Sequence, residues 1–400
     1  MDIGKQLEII KRGVVELISE KELVDKLKNK KKLIIKLGLD PTSPDIHLGH
    51  TVVMNKLRQF QDFGHEVCLI IGDYTARIGD PSGRSATRPA LTENEIKWNA
   101  ATYTEQAFKV LDESKTKIMF NSQWLGVMSG IDIIKLAAKY NVARMLERDD
   151  FEKRYKSGES IRIHEFLYPL LQGQDSVELK ADIEIGGTDQ KFNLLVGRDL
   201  QREVGIDPQV ILTMPLLVGT DGIKKMSKSY DNYIGISESP EEIFGKIMSI
   251  SDEMMWNYYE LLSWLSIEQI AEIKKHVADE KLHPKKAKEK LGLEIVARFY
   301  TNDDADRAKE HFDKVIVNKQ QPDVVEEFVV DASDKTQFLL VDVIAQTKVV
   351  KSKSEIKRMI QQGGVSVNSN RITDIYASIS TKDVYDIKIG KRKFVRIRFK

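Results

Sequence analysis

An α/β fold built on a doubly wound parallel sheet is predicted by three features of this sequence. Strand-length apolar runs alternate with a helix-period segment: Leu33–Leu39, then Thr51–Phe63, then Val67–Ile71. The same order returns in Ala181–Ile185, a helical stretch to about Val204, and Gln209–Thr213. Strands joined by crossover helices pair in parallel, with helices covering both faces. After Pro240 the alternation gives way to helical spacing, and the last 65 residues return to short strands. The chain therefore divides into an α/β region at 1–235, a helical region at 236–325 and a small α+β module at 336–400.

Length and composition agree with this division. Four hundred residues exceed one ordinary core, and 41% hydrophobic with 31% charged residues is the balance of a soluble globular chain. The single cysteine, Cys68, lies inside the apolar run Val67–Ile71 and reads as packing, which excludes a disulfide framework and suits a reducing cytoplasm. No apolar run is long enough to span a membrane, and residues 1–29 read as an amphipathic helix and not as a signal peptide. The net charge of +1 hides an asymmetry: residues 336–400 carry fourteen Lys and Arg against five Asp and Glu. A basic module on an acidic body points to a polyanionic partner.

The first strand, interrupted only by Lys36, runs into Gly38-Leu39-Asp40-Pro41-Thr42-Ser43-Pro44-Asp45-Ile46-His47-Leu48-Gly49-His50. Two prolines keep this connection extended. Val53, Leu57 and Phe60 share a face of the following helix, and Gly64 stops it. His47 and His50 thus stand at a helix start, where backbone N–H groups and the dipole favour a polyphosphate. Two histidines at this spacing also fit a surface pair or half a zinc site. The glycine between them, the preceding strand and the Asp-Pro-Thr-x-x-Pro run favour nucleotide binding.

The second strand leads to Ile78-Gly79-Asp80-Pro81-Ser82-Gly83-Arg84, where a doubly wound fold places ligands. Asp80 there suits a substrate ammonium group, or simply a turn before proline. Thr92-x-x-Glu95 is a capping box opening a helix to about Asp112, and Lys117–Phe120 reads as a short strand. Residues 130–176 read as helical. Within them Tyr168, Gln172 and Asp175 fall on one face, a polar stripe that must be hydrogen-bonded to protein or to ligand.

Gly186-Gly187-Thr188-Asp189-Gln190 follows the strand Ala181–Ile185 as a second strand–glycine–helix turn. Asp221 to Ser229 concentrates three lysines and two serines between glycines, as a solvated face or as a mobile clamp over pyrophosphate. Helical spacing then runs through Phe244, Ile247 and Met248, then Ile267, Ile270 and Ile273, then Leu291, Ile295 and Phe299. Asn318–Lys335 is polar and aperiodic, the expected linker. In the module, Leu339–Gln346 is helical, and Ser352-x-x-Glu355 caps a helix with Ile356, Met359 and Ile360 inward and Lys353, Lys357 and Arg358 outward. Gly363-Gly364 stops it, Val365–Asn368 is a strand, and Val384–Ile389 with Phe394–Phe399 forms a hairpin around Gly390-Lys391-Arg392-Lys393. A basic helix beside a small sheet suits shape-based RNA binding.

His47-Leu48-Gly49-His50 and Lys225-Met226-Ser227-Lys228-Ser229, in this order and about 175 residues apart, resemble the paired motifs of class I aminoacyl-tRNA synthetases. Together with Ile78–Gly83, Tyr168–Asp175, Gly186–Gln190 and the basic tail, they are similar over nearly the whole chain to the tyrosyl members of the bacterial kind. The resemblance implies a Rossmann-like catalytic domain with a helical insertion, an anticodon-side helical domain and a tail like a small ribosomal RNA-binding domain. It implies ATP as substrate with Mg²⁺ and no tightly held protein-ligated metal. L-tyrosine and tRNA would be the other partners, in a cytoplasmic homodimer with no membrane association.

Site roles follow by resemblance. Thr42, His47, His50, Lys225 and Lys228 match positions acting on the phosphates. Gly187 and Asp189 match ribose contacts, with Gly38, Asp40, Gly49, Met226 and Ser227 in the same nucleotide set. Asp80, Tyr168 and Gln172 match the ammonium site, Asp175 the phenol site, and Gln190 a position near the carboxylate. Lys36 stands where many relatives carry a tyrosine that touches the phenol, and is grouped with the substrate residues. Lys353, Lys357, Arg358, Lys391 and Arg392 are the expected RNA contacts. A tryptophanyl synthetase, a small-molecule nucleotidyltransferase and a catalytically silent RNA-binding relative are the competing expectations.

Overall fold

The computed structural model describes residues 2–41, 45–81, 92–317, 326–332, 336–350, 352–368, 370–390 and 393–400. The chain divides into two units, Met1–Ala305 and Asp306–Lys400. The first is organised by a six-stranded sheet formed from β1 (Glu16–Ile18), β2 (Ile34–Leu39), β3 (Glu66–Ile71), β4 (Thr116–Phe120), β5 (Ile183–Gly187) and β6 (Val210–Met214), in the order β1-β6-β5-β2-β3-β4.

From β6 to β4 every neighbour is parallel, whereas β1 joins β6 antiparallel. The chain moves outward from β2 to β4 and later outward again from β5 to β6. The strand order therefore reverses between β2 and β5, where a doubly wound sheet opens a crevice at its carboxyl end. Pairing across that junction is registered at Ile35–Ile183 and Lys36–Glu184. The central strands are buried on both faces, as their Val, Ile and Leu content requires. Cys68 belongs to this core: it is buried in β3, and burial pushes its thiol up to about 11.

Several elements differ from expectation for local reasons. The helix after β2 is Leu48–Asp62, starting before Thr51 because His47 caps it. Residues 1–29 form two helices, Ile3–Lys11 and Glu20–Asn29, separated by Gly13 at φ +67 and by β1. The stretch read as helical from 130 to 176 is broken into Gly130–Ala137, Val142–Met145, Asp149–Ser157 and Ile163–Leu179, the first and second capped by Ser129 and Asn141. The helices from Pro240 to Phe299 fall within the same unit as the sheet. Among the described residues, no helix is long and apolar enough to cross a membrane.

The second unit has its own apolar core, including Ile344, Ile356, Ile360, Val365, Ile387 and Ile397. Its sheet has the order β10-β9-β12-β13-β7, from β7 (Glu326–Val330), β9 (Val365–Val367), β10 (Asn370–Ile372), β12 (Tyr385–Ile389) and β13 (Lys393–Phe399); β8 (Gln337–Leu339) and β11 (Ser378–Ser380) form a separate ribbon. The expected hairpin is present as β12 and β13, and Ser352 caps the helix Lys353–Gln361 as its sequence predicts. The linker expectation needs correction: Glu326–Val330, inside Asn318–Lys335, is a strand parallel to β13. Its alternation is too short and too acidic at the start to stand out, and only the exposed edge of β13 gives it a partner.

Candidate active site

A cavity of about 740 Å³ opens at the carboxyl ends of the parallel strands, at the β2/β5 reversal. Gly38 and Gly186 help to line it, and a Cβ on Gly38 would project into open space. Along β2, Lys36 and Gly38 share a face, so the chain is bulky below the cavity and bare at it.

At one end lie the histidines. Their rings stack with centroids 3.9 Å apart. The Gly49 N–H donates to His47 Nδ1 at 3.1 Å, and the His47 N–H donates to His50 Nδ1 at 3.2 Å. Burial, then the charge of Lys228, depresses His50 to about 4; burial first, then His50 and Lys228, depresses His47 to about 2. Both imidazoles are therefore neutral, and an accepting Nδ1 puts the proton on Nε2. The expected anion site at the helix start is thereby changed. The N–H groups of Leu48, Gly49 and His50 are bonded to Ile234 O, His47 Nδ1 and His47 O, so the donors these two cavity-lining histidines can offer are their imidazole Nε2–H groups. Gly49 is required by the same packing, since a Cβ there would meet the His47 ring at 2.9 Å.

The lysine segment is brought to the histidines by backbone pairing. The Leu48 N–H donates to Ile234 O and the Ile236 N–H to Ile46 O, joining the chain just after one motif to the chain just before the other. Asn232, almost fully buried, accepts from the Ser227 N–H and donates to Lys225 O and Asp221. Lys225 Nζ is 3.2 Å from Asp189 Oδ2, and Lys228 pairs with Asp45. These ion pairs are partly exposed and weak, so a phosphate can replace the carboxylates. Lys225, Met226, Ser227, Lys228, Gly187 and Asp189 all line the cavity with His47, Gly49 and His50. Thr42 lies outside the described residues.

At the other end is the polar stripe of the helix Ile163–Leu179. The Tyr168 hydroxyl donates to Asp40 Oδ2 at 2.7 Å, and the Thr75 hydroxyl to Asp40 Oδ1 at 2.7 Å. Burial pushes Asp40 up to about 7 against the pull of these two bonds, and burial with the Asp40 charge holds the Tyr168 phenol protonated. Asp175 accepts from Trp124 Nε1 at 2.8 Å and from Asn121 Nδ2 at 3.4 Å; burial pushes it up to about 7, opposed chiefly by Lys36. Gln190 donates to Asp80 at 2.7 Å. Asp40, Asp80, Tyr168, Gln172, Asp175 and Gln190 line this half of the cavity.

Lys36 is the exception, and its grouping with the substrate residues is corrected. It does not line the cavity; its fully buried ammonium lies 2.9 Å from Glu184 Oε1 and donates to Ser176 Oγ and Gln172 O. Sequence reasoning also missed Asn121 and Trp124, which leave the carboxyl end of β4, and Asn232. Applying the strand-end rule to Lys117–Phe120 as well as to Val67–Ile71 finds the first two; Asn232 has no local signal. Among the tail residues, Lys353, Lys357 and Arg358 are exposed on their helix, while Lys391 and Arg392 lie outside the described residues.

A family model of class I tRNA synthetases (W and Y) matches residues 28–316, and one of the tyrosine–tRNA ligase SYY-like C-terminal domain matches residues 319–397. The tyrosine–tRNA ligase of Carboxydothermus hydrogenoformans is 54% identical, with 100% of this chain and 98% of that protein covered. That of Geobacter sulfurreducens is 54% identical with 100% of each covered. This chain belongs to the tyrosine–tRNA ligase family. The family's fold is seen in the tyrosyl-tRNA synthetase of Archaeoglobus fulgidus complexed with L-tyrosine, which matches with a TM-score of 0.63 and 25% identity over 77% of this chain and 99% of that one. A C-terminally truncated mitochondrial tyrosyl-tRNA synthetase of Aspergillus nidulans shares the fold, with a TM-score of 0.64 at 21% identity over 76% of this chain and 92% of that one. Tyrosine–tRNA ligase membership covers both units, because the two family models together span nearly the whole chain.

Proposed function

We propose that this chain activates L-tyrosine with Mg²⁺-ATP and transfers the tyrosyl group to the terminal adenosine of its tRNA. The observation that carries the reading is the meeting, in one cavity, of the histidine motif, the lysine motif and the stripe Tyr168, Gln172 and Asp175. The tyrosine carboxylate attacks the α-phosphorus in line; a bond forms from carboxylate oxygen to phosphorus and the bond to the bridging oxygen breaks, releasing pyrophosphate. A carboxylate is already a nucleophile, so the site needs placement and charge more than a base. His47 and His50 present Nε2–H donors, and Lys225 and Lys228 present ammonium groups, to charge that grows on the leaving pyrophosphate. Asp189 and Gly187 lie where a ribose edge would rest. Asp80, Tyr168 and Gln172 hold the ammonium, Gln190 the carboxylate region and Asp175 the phenol. In the second step a ribose hydroxyl of the tRNA attacks the tyrosyl carbonyl and AMP leaves.

The division of labour we infer is chemistry in 1–235, the anticodon side in 236–325 and RNA contact in 336–400 through Lys353, Lys357, Arg358, Lys391 and Arg392. The chain works in the cytoplasm as a homodimer. Supporting the dimer, Val127, Ile131, Ile134, Val142 and Ile163 are all exposed around the helices between β4 and the stripe helix, and apolar side chains gathered in one stretch suit a protein–protein contact. ATP–pyrophosphate exchange, run with each standard amino acid in turn, tests the activity. Exchange supported by tyrosine is expected, and exchange supported by tryptophan alone, or by none, overturns the reading. Sedimentation of Ile134→Asp tests the dimer, with dissociation expected.

A further inference from the structure

Beneath the amino-acid end of the cavity runs an unbroken series of hydrogen bonds that starts in a buried ion pair. Lys36 and Glu184 stand opposite each other in the β2–β5 register, 2.9 Å apart and 0% and 1% exposed. The ammonium spends its three N–H bonds on Glu184, on Ser176 Oγ at 2.7 Å and on the Gln172 carbonyl at 3.0 Å. Glu184 accepts in addition from Gln172 Nε2 at 3.4 Å, from Ser176 Oγ at 3.0 Å and from Gln209 Nε2. Asn193 Nδ2 then donates to Gln172 Oε1 at 3.0 Å and to Gln190 Oε1 at 3.1 Å, and Gln190 Nε2 donates to Asp80 Oδ2 at 2.7 Å. Gln172, Gln190, Asp80 and Glu184 line the cavity; Lys36 and Asn193 do not.

We propose that Lys36, Glu184 and Asn193 are positioning residues that fix which way the carboxamides of Gln172 and Gln190 point, and so prepare the site for the ammonium group of the amino-acid substrate.

The argument is one of polarity. A carboxamide can turn over, exchanging its donor and acceptor ends at little cost when both neighbours tolerate either. Here each glutamine has a carboxylate at its nitrogen end, Glu184 for Gln172 and Asp80 for Gln190, and Glu184, in its ion pair with Lys36, only accepts. Asn193 lies between the two oxygen ends and only donates to them through Nδ2. Turning either glutamine would set oxygen against carboxylate and nitrogen against nitrogen, so both Oε1 atoms are held on the Asn193 side. Lys36 keeps the series anchored, because without its cation Glu184 is a buried carboxylate left without its ion partner. A buried ion pair gains little stability over an apolar pair of similar volume, and what this one supplies is direction.

This inference rests on the reading of the cavity as an L-tyrosine site. It is tested on the full chain by calorimetric titration with three ligands: L-tyrosine, tyramine, which keeps the ammonium and phenol, and the deamino analogue of tyrosine, which keeps the phenol and carboxylate. The natural chain binds L-tyrosine; if it does not, the cavity reading fails before this one is engaged. Asn193→Leu removes both donated bonds with little change of volume at a residue that does not line the cavity. It is expected to weaken L-tyrosine and tyramine by about tenfold or more, and the deamino analogue, which meets Gln190 through its carboxylate alone, clearly less. Lys36→Met/Glu184→Gln, which removes both charges together, is expected to give the same pattern, and it decides the matter if Asn193→Leu does not fold. A folded variant that weakens all three ligands alike, or none of them, overturns the proposal, since a loss of general structure does not single out the ammonium.

Discussion

The rings of His47 and His50 stack 3.9 Å apart, each with its Nδ1 occupied by a backbone N–H of the same turn. Capping takes the Nδ1 of each ring, and the proposed contact to phosphate falls to Nε2. His47→Asn keeps an N-cap side chain that serves the Gly49 N–H well, but loses the outward Nε2–H. We expect thermal unfolding close to that of the natural chain, with adenylate formation slowed by about 10²–10³-fold. A rate within about threefold of the natural chain would remove His47 from the phosphate contacts.

Lys225 and Lys228 form ion pairs with Asp189 and Asp45. On the function proposed above, exchanging those carboxylates for a leaving pyrophosphate would stabilise the transition state more than the ground state. Lys225→Ala and Lys228→Ala should each raise the barrier to adenylate formation by about 2.7–4 kcal/mol, with tyrosine affinity nearly unaltered. Stopped-flow rates and equilibrium titration of tyrosine separate the two effects; loss of tyrosine affinity instead of rate would contradict the clamp.

Asp175 titrates at about 7 in the folded chain against 3.8 for an ordinary aspartate. Between these values the folded chain holds a proton that the unfolded chain has released, so stability falls as pH rises through the window and stays lowered above it. Asp175→Asn removes this titration. Relative to the natural chain, the variant should gain on the order of 2–4 kcal/mol between about pH 4 and about pH 8. The same variant should lose most of its preference for tyrosine over phenylalanine, because the residue meeting the phenol no longer accepts its proton as a carboxylate does. Denaturant unfolding at both pH values, with kcat/KM for the two amino acids, checks both halves. A stability difference independent of pH would place the buried charge elsewhere.

Because β7 belongs to the sheet of the second unit, a chain cut at Lys335 leaves Glu326–Val330 without the strand it pairs with. A chain ending at Val317 avoids this. It should retain tyrosine-dependent pyrophosphate exchange, since every described cavity residue precedes that point, and should bind tRNA weakly at a stated salt concentration. Natural tRNA affinity in this shortened chain would show that the basic tail is not an RNA contact.

The sequence by itself determined what local spacing can encode. Helix caps such as Thr92 with Glu95 and Ser352 with Glu355 are settled by neighbours three residues apart, and so is the common face of Tyr168, Gln172 and Asp175. The parallel sheet was legible because buried apolar runs of strand length, joined by helices, have few other ways to pack. The two motifs, with their lysines and histidines, were legible as residue types suited to phosphate. What the tertiary structure decided depends on partners far along the chain. That Lys36 faces Glu184 and not the cavity follows from the β2–β5 register, which joins residues 148 positions apart and leaves no periodic trace in either strand. That the helix start gives its N–H groups to His47 and Ile234 follows from the rotamer of one ring and from an isolated backbone bridge outside the sheet. The edge strands β1 and β7 are each held by a strand far along the chain, β6 and β13. Patterns report what a segment can bury, whereas register, rotamer and edge pairing are chosen by whichever distant surface completes the hydrogen bonds, and those choices are made only when the chain has closed on itself.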